Sequence, residues 1–406
     1  MLLRYASRRE KGKSTCAESA VSRQLSPVRS RTIVGENKAN KRESFFLQKA
    51  LFAASGSTPS EWKMIPFRNC PYRGKEGTTM QACESRRHFL AALGGAMASS
   101  FFWGSRSGAA PLLPVSSRFK LSVITDEIAE DFGHALEIAS KEFGLGYVEL
   151  RTMWNKNVIN LDEKETAEVR RLLGKFGFQV TDIASPLFKT DWPGAPLSKY
   201  SPKAPQFGVD YSFAQQEEVL ERSIAIAKAV GTDRVRFFDF WRQDDPKPFR
   251  EAMDAKLRHT AARAASKKIT LLLENEIACN TATGAEAART LQAVQSPNLK
   301  LNWDPGNAAY RGEIAFPDGF AKIPKDRIGH VHCKDVVRKP DGTYEWAAMG
   351  RGLIDFVGQF RALAQAGYSG TMSLETHWRG AGSPEESSRQ SWAGMKELLG
   401  EAGVLG

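Results

Sequence analysis

Four segments in the C-terminal half of the chain each place acidic or imidazole side chains directly after an apolar run. They are Leu271–Glu276, Leu301–Asn307, His330–Asp335 and Ser373–His377. Carboxylates grouped in this way repel one another unless a cation lies between them. One histidine with three carboxylates is an oxygen-rich donor set, which suits Mn²⁺ or Mg²⁺ better than a structural zinc ion. The pattern therefore predicts one divalent-metal site.

Short apolar runs alternate with longer amphipathic runs from Lys120 onward. Strict alternation of strand and helix indicates parallel strands joined by crossover helices, and eight such units fit a closed barrel. No GxGxxG follows the first strand, which argues against a dinucleotide-binding fold. We therefore predict an α/β fold, a (β/α)₈ TIM barrel over residues 118–402. The predicted strands are Leu121–Thr125, Tyr147–Leu150, Gln179–Ala184, Arg234–Phe238, Thr270–Leu273, Leu299–Trp303, Ile328–His332 and Thr371–Leu374.

Helical patterns separate most of these strands, and Asp162, Thr283 and Asp355 are expected to cap three of the helices. Two long segments, Pro186–Phe213 and Asp335–Leu353, follow the third and seventh strands and are expected to form loops over the site. The predicted helices are Asp131–Phe143, Asp162–Phe176, Ala214–Val230, Pro248–Lys267, Thr283–Val294, Asp355–Ala366 and Glu386–Leu399.

The carboxyl ends of the strands carry the active site in (β/α)₈ barrels. This rule selects four candidate ligands at the ends of strands five to eight, namely Glu274, Asp304, His332 and Glu375. Strand alternation puts Glu276 on the same side as Glu274 and His330 on the same side as His332, so alternation does not separate the members of either pair. Glu274 ends its apolar run directly, and His332 lies nearer the rim than His330.

The N-terminal quarter carries all of the excess positive charge. Residues 1–110 contain 19 Lys and Arg against 7 Asp and Glu, a net charge of +12, while residues 111–406 contain 38 against 39. A nearly neutral remainder gives no electrostatic support for nucleic-acid binding. At the boundary, Ser85–Leu90 contains an Arg pair, Ala91–Phe102 is apolar, and small residues follow at Ser107–Ala110.

This arrangement is typical of a signal peptide, and its apolar run is too short for a stable membrane anchor. The Arg86–Arg87 pair with Phe89 and Leu90 behind it resembles a twin-arginine signal. We expect residues 80–110 to direct export to the periplasm by the twin-arginine machinery, with cleavage near Ala109 and Ala110. Residues 1–79 are expected to be a disordered basic extension, or to precede a true start at Met80.

The strand ends resemble those of the xylose isomerase-like barrel family, often called sugar phosphate isomerases/epimerases, over residues 120–399. The family's closer members include ketohexose 3-epimerases and hydroxypyruvate isomerases. Its pattern has Glu on strand five, Asp on strand six, His in a V-H-x-K-D segment and Glu on strand eight. The matching segments here are Leu273–Asn275, Trp303–Asn307, Val331–Asp335, Ser373–Glu375, Met349–Phe356 and, on the second strand, Gly144–Leu150.

The resemblance implies a metal-dependent isomerase or epimerase of a small sugar or keto-sugar, with Glu274 and Glu375 as metal-bound acid/base partners. It implies one divalent metal, Mn²⁺ first, with Mg²⁺, Co²⁺ and Zn²⁺ as alternatives. Family motifs and position near the rim together give a set of candidate substrate-binding residues. That set is Glu149, Arg236, Asn280, Asn307, Lys334, Asp335, Arg338 and His377.

Two positions depart from the ketohexose epimerases: Asn307 stands where they have His, and Asn280 where they have Glu. Arg236 could bind an anionic substrate group or pair with Asp239 or Glu274. Three alternative functions stay open at this point. They are a lyase or dehydratase that uses the same site on a keto-sugar, a non-catalytic sugar-binding protein, and a metal-dependent endonuclease. The endonuclease needs more histidines than this chain offers.

Overall fold

The structure, a computed structural model, describes residues 115–206 and 209–406. The predicted signal peptide, with Arg86 and Arg87, and the basic extension at 1–79 lie outside these residues. Among the residues that are described, no helix is long and apolar enough to cross a membrane.

Eight parallel strands form one sheet, whose neighbours follow the order β1-β8-β7-β6-β5-β4-β3-β2. A parallel bridge between Ile124 and Glu149 joins β1 to β2, so the sheet closes on itself. This arrangement confirms the predicted (β/α)₈ barrel. The strands are β1 Lys120–Val123, β2 Tyr147–Leu150, β3 Gln179–Ile183, β4 Arg234–Phe237, β5 Thr270–Glu274, β6 Leu299–Trp303, β7 Ile328–Cys333 and β8 Thr371–Leu374.

Helices follow the strands and cover the outside of the barrel. The predicted caps are present: Asp162 and Thr283 each form a capping box, and Asp355 accepts a hydrogen bond from the Gly358 amide. These caps satisfy amides that have no partner within the helix. The helices are α1 Phe132–Lys141, α2 Glu163–Phe176, α3 Gln216–Val230, α4 Arg250–Ser266, α5 Gly284–Ala293, α6 Pro305–Tyr310, α7 Phe320–Lys322, α8 Phe356–Gln365 and α9 Pro384–Glu401.

The segment after β7, expected to be a long loop, contains an antiparallel hairpin of Asp335–Arg338 and Tyr344–Ala347. Its turn includes Gly342 at φ 84°, a conformation that glycine adopts without steric cost. The apolar pattern of the sequence did not predict that these two short segments pair across the turn. The hairpin places Trp346 beside the carboxyl end of the barrel, where its ring packs edge-on against His377.

Asp335 fixes the end of this segment. Its carboxylate accepts hydrogen bonds from the backbone amides of Val336, Gly350 and Gly352. A Cβ atom at Gly352 would lie 2.0 Å from Asp335 Oδ1, so only glycine allows the loop to approach this closely. The loop after β7 is therefore built around a buried carboxylate.

The long loop after β3 packs through aromatic side chains. Trp192 makes edge-to-face contacts with Phe213 and Phe240, and Phe188 lies against Phe240 with 4.8 Å between ring centroids. Phe188 and Phe240 are almost completely buried. Apolar burial of this kind holds a loop in one place beside the barrel mouth.

Candidate metal centre

Side chains from four consecutive strands converge at the carboxyl end of the barrel. Nδ1 of His332 lies 3.2 Å from Oε2 of Glu375, 3.5 Å from Oε1 of Glu274 and 3.7 Å from Oδ2 of Asp304. All four residues are at most 2% exposed. Their donor atoms lie within 4.8 Å of one another, which is close enough for a single ion to reach every one of them. The four residues selected by the rim rule therefore form one cluster.

The two competing residues lie elsewhere. Glu276 is not among the donor residues of the cluster, and its carboxylate lies 3.8 Å from the Lys189 ammonium. His330 is on the same side of β7 as His332 but two residues deeper, where Nδ1 pairs with the Thr371 hydroxyl at 2.6 Å. Alternation along the strand gives only the face on which a side chain lies. His332 and His330 share a face and differ in their depth below the rim.

Local hydrogen bonds hold the carboxylates in place. Asp304 is the N-cap of α6, and its Oδ1 accepts a hydrogen bond from the Asn307 amide at 2.8 Å. The side chain of Asn275 accepts from the Asp304 amide and donates to the Asp304 carbonyl. Asn307 also donates through Nδ2 to Oε1 of Glu274 at 3.2 Å. A helix start thus fixes both Asp304 and Asn307 beside the cluster.

Three cationic side chains surround the carboxylates. Arg236 Nη1 lies 3.1 Å from Oε2 of Glu274. The Lys334 ammonium lies 2.6 Å from Glu375 and 2.9 Å from Asp304. Arg151 donates from Nη1 to Oε1 of Glu375 at 2.9 Å and also binds two other carboxylates, so its guanidinium is fully engaged.

These charges set the protonation of the site. Burial alone would raise the pKa of Glu274, but Arg236 and His332 outweigh it and lower that pKa to about 2. Burial opposes ionisation of Glu375 as well, yet Lys334, His377 and His332 hold its pKa well below the usual range. Both glutamates are therefore ionised near neutral pH, the form in which a carboxylate binds a cation.

The residues fit a divalent metal. Nδ1 of His332 is fully buried and makes no hydrogen bond, although it faces three carboxylates. The carboxylates raise the pKa of His332 well above its ordinary value in spite of burial, because positive charge is favourable at this point. A divalent ion would supply that charge and give Nδ1 a partner. The donor set of three carboxylates and one imidazole suits Mn²⁺, Mg²⁺ or Zn²⁺.

Other residues predicted to bind substrate differ in their placement. Arg236, Asn307, Lys334 and His377 each contact a carboxylate of the cluster. The remaining four point elsewhere: the side chain of Asn280 bonds backbone groups of the loop after β4, and Arg338 is exposed at the outer end of the hairpin. The carboxylate of Asp335 holds its own loop, and Glu149 is buried beneath the cluster.

An open cavity of about 460 Å³ is lined by Arg151 and His377, both of which contact the Glu375 carboxylate. Sequence reasoning missed most of its charged lining, although Asp126 and Glu127 follow the first strand and Arg151 follows the second. The rule that selected the metal ligands would have found these residues too. The cavity is lined by Asp126, Glu127, Glu130, Arg151, Thr152, Asn155, Trp346, His377 and Arg379.

The sequence profile of the xylose isomerase-like TIM barrel family matches residues 138–398, which include all four cluster residues. The chain belongs to this family. The match begins in α1 and ends within α9, so it spans the barrel from its first helix to its last.

Known proteins of similar sequence or structure include sugar epimerases. L-ribulose-5-phosphate 3-epimerase UlaE of Escherichia coli K12 is 25% identical over 199 residues, which are 47% of this chain and 66% of the relative. The chain thus spans about two thirds of that relative's length. D-psicose 3-epimerase from Clostridium cellulolyticum H10, solved with D-tagatose, superposes with TM-score 0.52 and 16% identity, covering 69% of this chain and 98% of that one.

A solved relative also contains a metal. The IOLI protein with a bound zinc atom superposes with TM-score 0.54 and 16% identity, covering 69% of this chain and 98% of the other. At this identity the structural similarity shows a shared fold. The candidate metal site of the present chain is defined by its own four side chains.

Proposed function

We propose that this chain is a divalent-metal-dependent isomerase or epimerase of a keto-sugar. The observation that carries the proposal is the convergence of Glu274, Asp304, His332 and Glu375 on one point at the barrel mouth. Membership of the family and sequence similarity to a ribulose-phosphate 3-epimerase support the sugar class of substrate. We propose Mn²⁺ as the metal, with Mg²⁺, Co²⁺ and Zn²⁺ as alternatives.

Glu274 and Glu375 are the proposed acid and base. A divalent metal bound here would polarise the substrate carbonyl and its neighbouring hydroxyl, which acidifies the C–H bond between them. That help is needed, because both glutamates have low pKa values and are weak bases in their present surroundings. One carboxylate takes the proton, and the other returns a proton to the opposite face or to the neighbouring carbon.

The cavity beside His377 is the proposed entrance for the substrate. His377 lies 3.1 Å from Oε1 of Glu375 and its side chain is 25% exposed, so it borders both the carboxylate and the opening. Trp346 packs against His377 and lies over the Lys334 ammonium. This wall combines an aromatic face with hydrogen-bonding groups, a combination that suits a sugar.

A screen of keto-sugars tests the proposal. We expect purified protein loaded with Mn²⁺ to convert at least one free or phosphorylated ketopentose or ketohexose into an isomer or epimer of the same mass. NMR spectra of the products identify the reaction. A product that has lost water would replace the proposal with a dehydratase, and binding without conversion would indicate a sugar-binding protein. Asn307 and Asn280 stand where the ketohexose epimerases have His and Glu. The screen therefore tests C3 epimerisation of ketohexoses separately from the other conversions.

We further propose that the chain is exported by the twin-arginine pathway, on the basis of the Arg86–Arg87 pair and the charge boundary near residue 110. Changing both arginines to lysine should leave the precursor in the cytoplasm, because the pair is the part of the signal proposed to be recognised. The mature protein should begin near Ala110. Immunoblots of periplasmic and cytoplasmic fractions measure the effect, and normal periplasmic accumulation of the double variant would refute the proposal.

A further inference from the structure

A second polar layer lies directly beneath the proposed metal site, inside the barrel. Glu149 on β2 places both carboxylate oxygens 3.1 Å from Nε2 of His332. Oε2 of the same carboxylate lies 3.1 Å from Nε2 of His330. All three side chains are 0% exposed. Glu149 was expected to bind substrate, but its carboxylate contacts the side of His332 that faces away from the cluster.

The two ring nitrogens of His332 therefore have different surroundings. Nε2 faces the Glu149 carboxylate, whereas Nδ1 faces Glu274, Asp304 and Glu375. A carboxylate offers acceptor oxygens and no proton, so the contact at 3.1 Å takes its proton from the imidazole. A proton on Nε2 is required for this contact, and a neutral ring then has its lone pair on Nδ1.

The side chain of Asn302 can also accept a hydrogen bond from a proton on Nε2 of His332. Its side-chain Nδ2 lies 3.0 Å from Nε2 of His332, and its Oδ1 is buried without a hydrogen bond. The oxygen and nitrogen of an amide are assigned from the hydrogen-bond network. A half-turn of the amide places Oδ1 beside Nε2 as a second acceptor of the same proton.

Further hydrogen bonds hold Glu149 in place. Nδ1 of His330 pairs with the Thr371 hydroxyl at 2.6 Å, and Nε2 of His330 also lies 3.0 Å from the Ser373 hydroxyl. The hydrogen-bonded chain from Thr371 through His330 to Glu149 and His332 crosses the barrel interior, and each of its residues is buried. Each imidazole is oriented by groups on both of its sides, so Glu149 has little freedom to move.

We propose that Glu149 is a positioning residue that keeps the proton of His332 on Nε2 and directs the Nδ1 lone pair at the metal. The inference rests on the proposed metal site and assigns Glu149 no contact with substrate. In known metalloproteins, loss of such a carboxylate partner of a ligating histidine lowers metal affinity by about 10–100-fold.

Metal titration of a Glu149→Gln variant tests this role. We expect the dissociation constant for Co²⁺, followed by its visible absorption, to rise about 10–100-fold, because an amide oxygen is a weaker acceptor than a carboxylate. The matched control is Asp182→Asn, the same chemical change in the same buried layer. Asp182 lies 3.8 Å from His330 Nε2, and its oxygens make no hydrogen bond. We expect the control to bind Co²⁺ like the parent protein.

The possible outcomes separate the inference from the proposed function. A parent protein that binds no Co²⁺ contradicts the metal site itself. If the parent binds, equal affinities of parent and Glu149→Gln overturn the positioning role, as do equal losses in both variants. Binding of two Co²⁺ ions per chain would also overturn it, because Glu149, His330 and His332 would then be ligands of a second ion.

NMR of the parent protein keeps the test decisive if Glu149→Gln fails to fold. With ¹⁵N-labelled histidine and bound Zn²⁺, we expect His332 to show a slowly exchanging proton on Nε2 and the metal on Nδ1. A spectrum with the metal on Nε2 would contradict the inference.

Discussion

A Glu375→Gln variant loaded with metal should turn over its substrate about 10²–10⁴-fold more slowly than the parent, the range expected when a general base is lost. Glutamine keeps the size of the side chain and one carbonyl oxygen, so the contacts with Arg151 and Lys334 are partly retained. An amide does not accept a proton near neutral pH, and the base is therefore lost. We expect a decrease of the same order for Glu274→Gln. Steady-state kinetics at saturating Mn²⁺ measure both effects.

His377→Asn is the matched control for Glu375→Gln. His377 lies 3.1 Å from Oε1 of Glu375 at the edge of the open cavity, and it is not among the four residues of the cluster. Its loss should alter substrate orientation and reduce turnover much less than loss of Glu375. If the metal-loaded Glu375→Gln protein works at the parent rate, the acid/base assignment is wrong even when the metal site is intact.

Removal of the metal by a chelator should reduce activity to background, and Mn²⁺ should restore it. The physical reason is that Glu274 and Glu375, with lowered pKa values, are too weakly basic to act on an unpolarised substrate. Metal should also stabilise the fold, by about 2.7 kcal/mol at a free concentration one hundred times the dissociation constant. Activity assays and thermal unfolding with and without metal measure the two effects.

Glu276→Gln and Asp304→Asn make a suitable pair of variants for the metal experiment. Glu276 is outside the cluster and pairs with Lys189, so its variant should bind metal as the parent does. Asp304 faces His332 Nδ1, and its variant should show a smaller shift in the melting temperature on addition of metal. A melting temperature that does not respond to Mn²⁺, Mg²⁺, Co²⁺ or Zn²⁺ would contradict the proposed site.

The barrel and the four-residue cluster were accessible from sequence because both follow from a periodic pattern. Strand–helix alternation predicts the parallel barrel, and the carboxyl ends of β5 to β8 then have to lie on one rim. Side-chain parity leaves two candidate positions on β5 and two on β7. The choice of His332 over His330 depends on depth relative to the rim, and the structure shows that depth directly.

The placement of charged side chains around the cluster was less accessible. Glu149 lies on β2 and meets His332 across the barrel interior, a contact between residues 183 positions apart in the chain. Arg151 similarly joins Asp126 to Glu375, and no local pattern reports such pairs. Asp335 was assigned to substrate through a motif, yet in this chain its carboxylate binds the backbone amides of Gly350 and Gly352. Long-range packing determines these contacts.

In the proposed mechanism, two metal-bound glutamates move a proton at a carbon atom of a keto-sugar. The most direct measurement is deuterium incorporation during turnover in D₂O, followed by ¹H NMR of the product formed by the Mn²⁺-loaded parent protein. We predict one solvent deuterium at the reacting carbon of each product molecule, because the second carboxylate delivers a proton that has exchanged with solvent. Product that forms at the full rate with its original hydrogen retained would contradict the account.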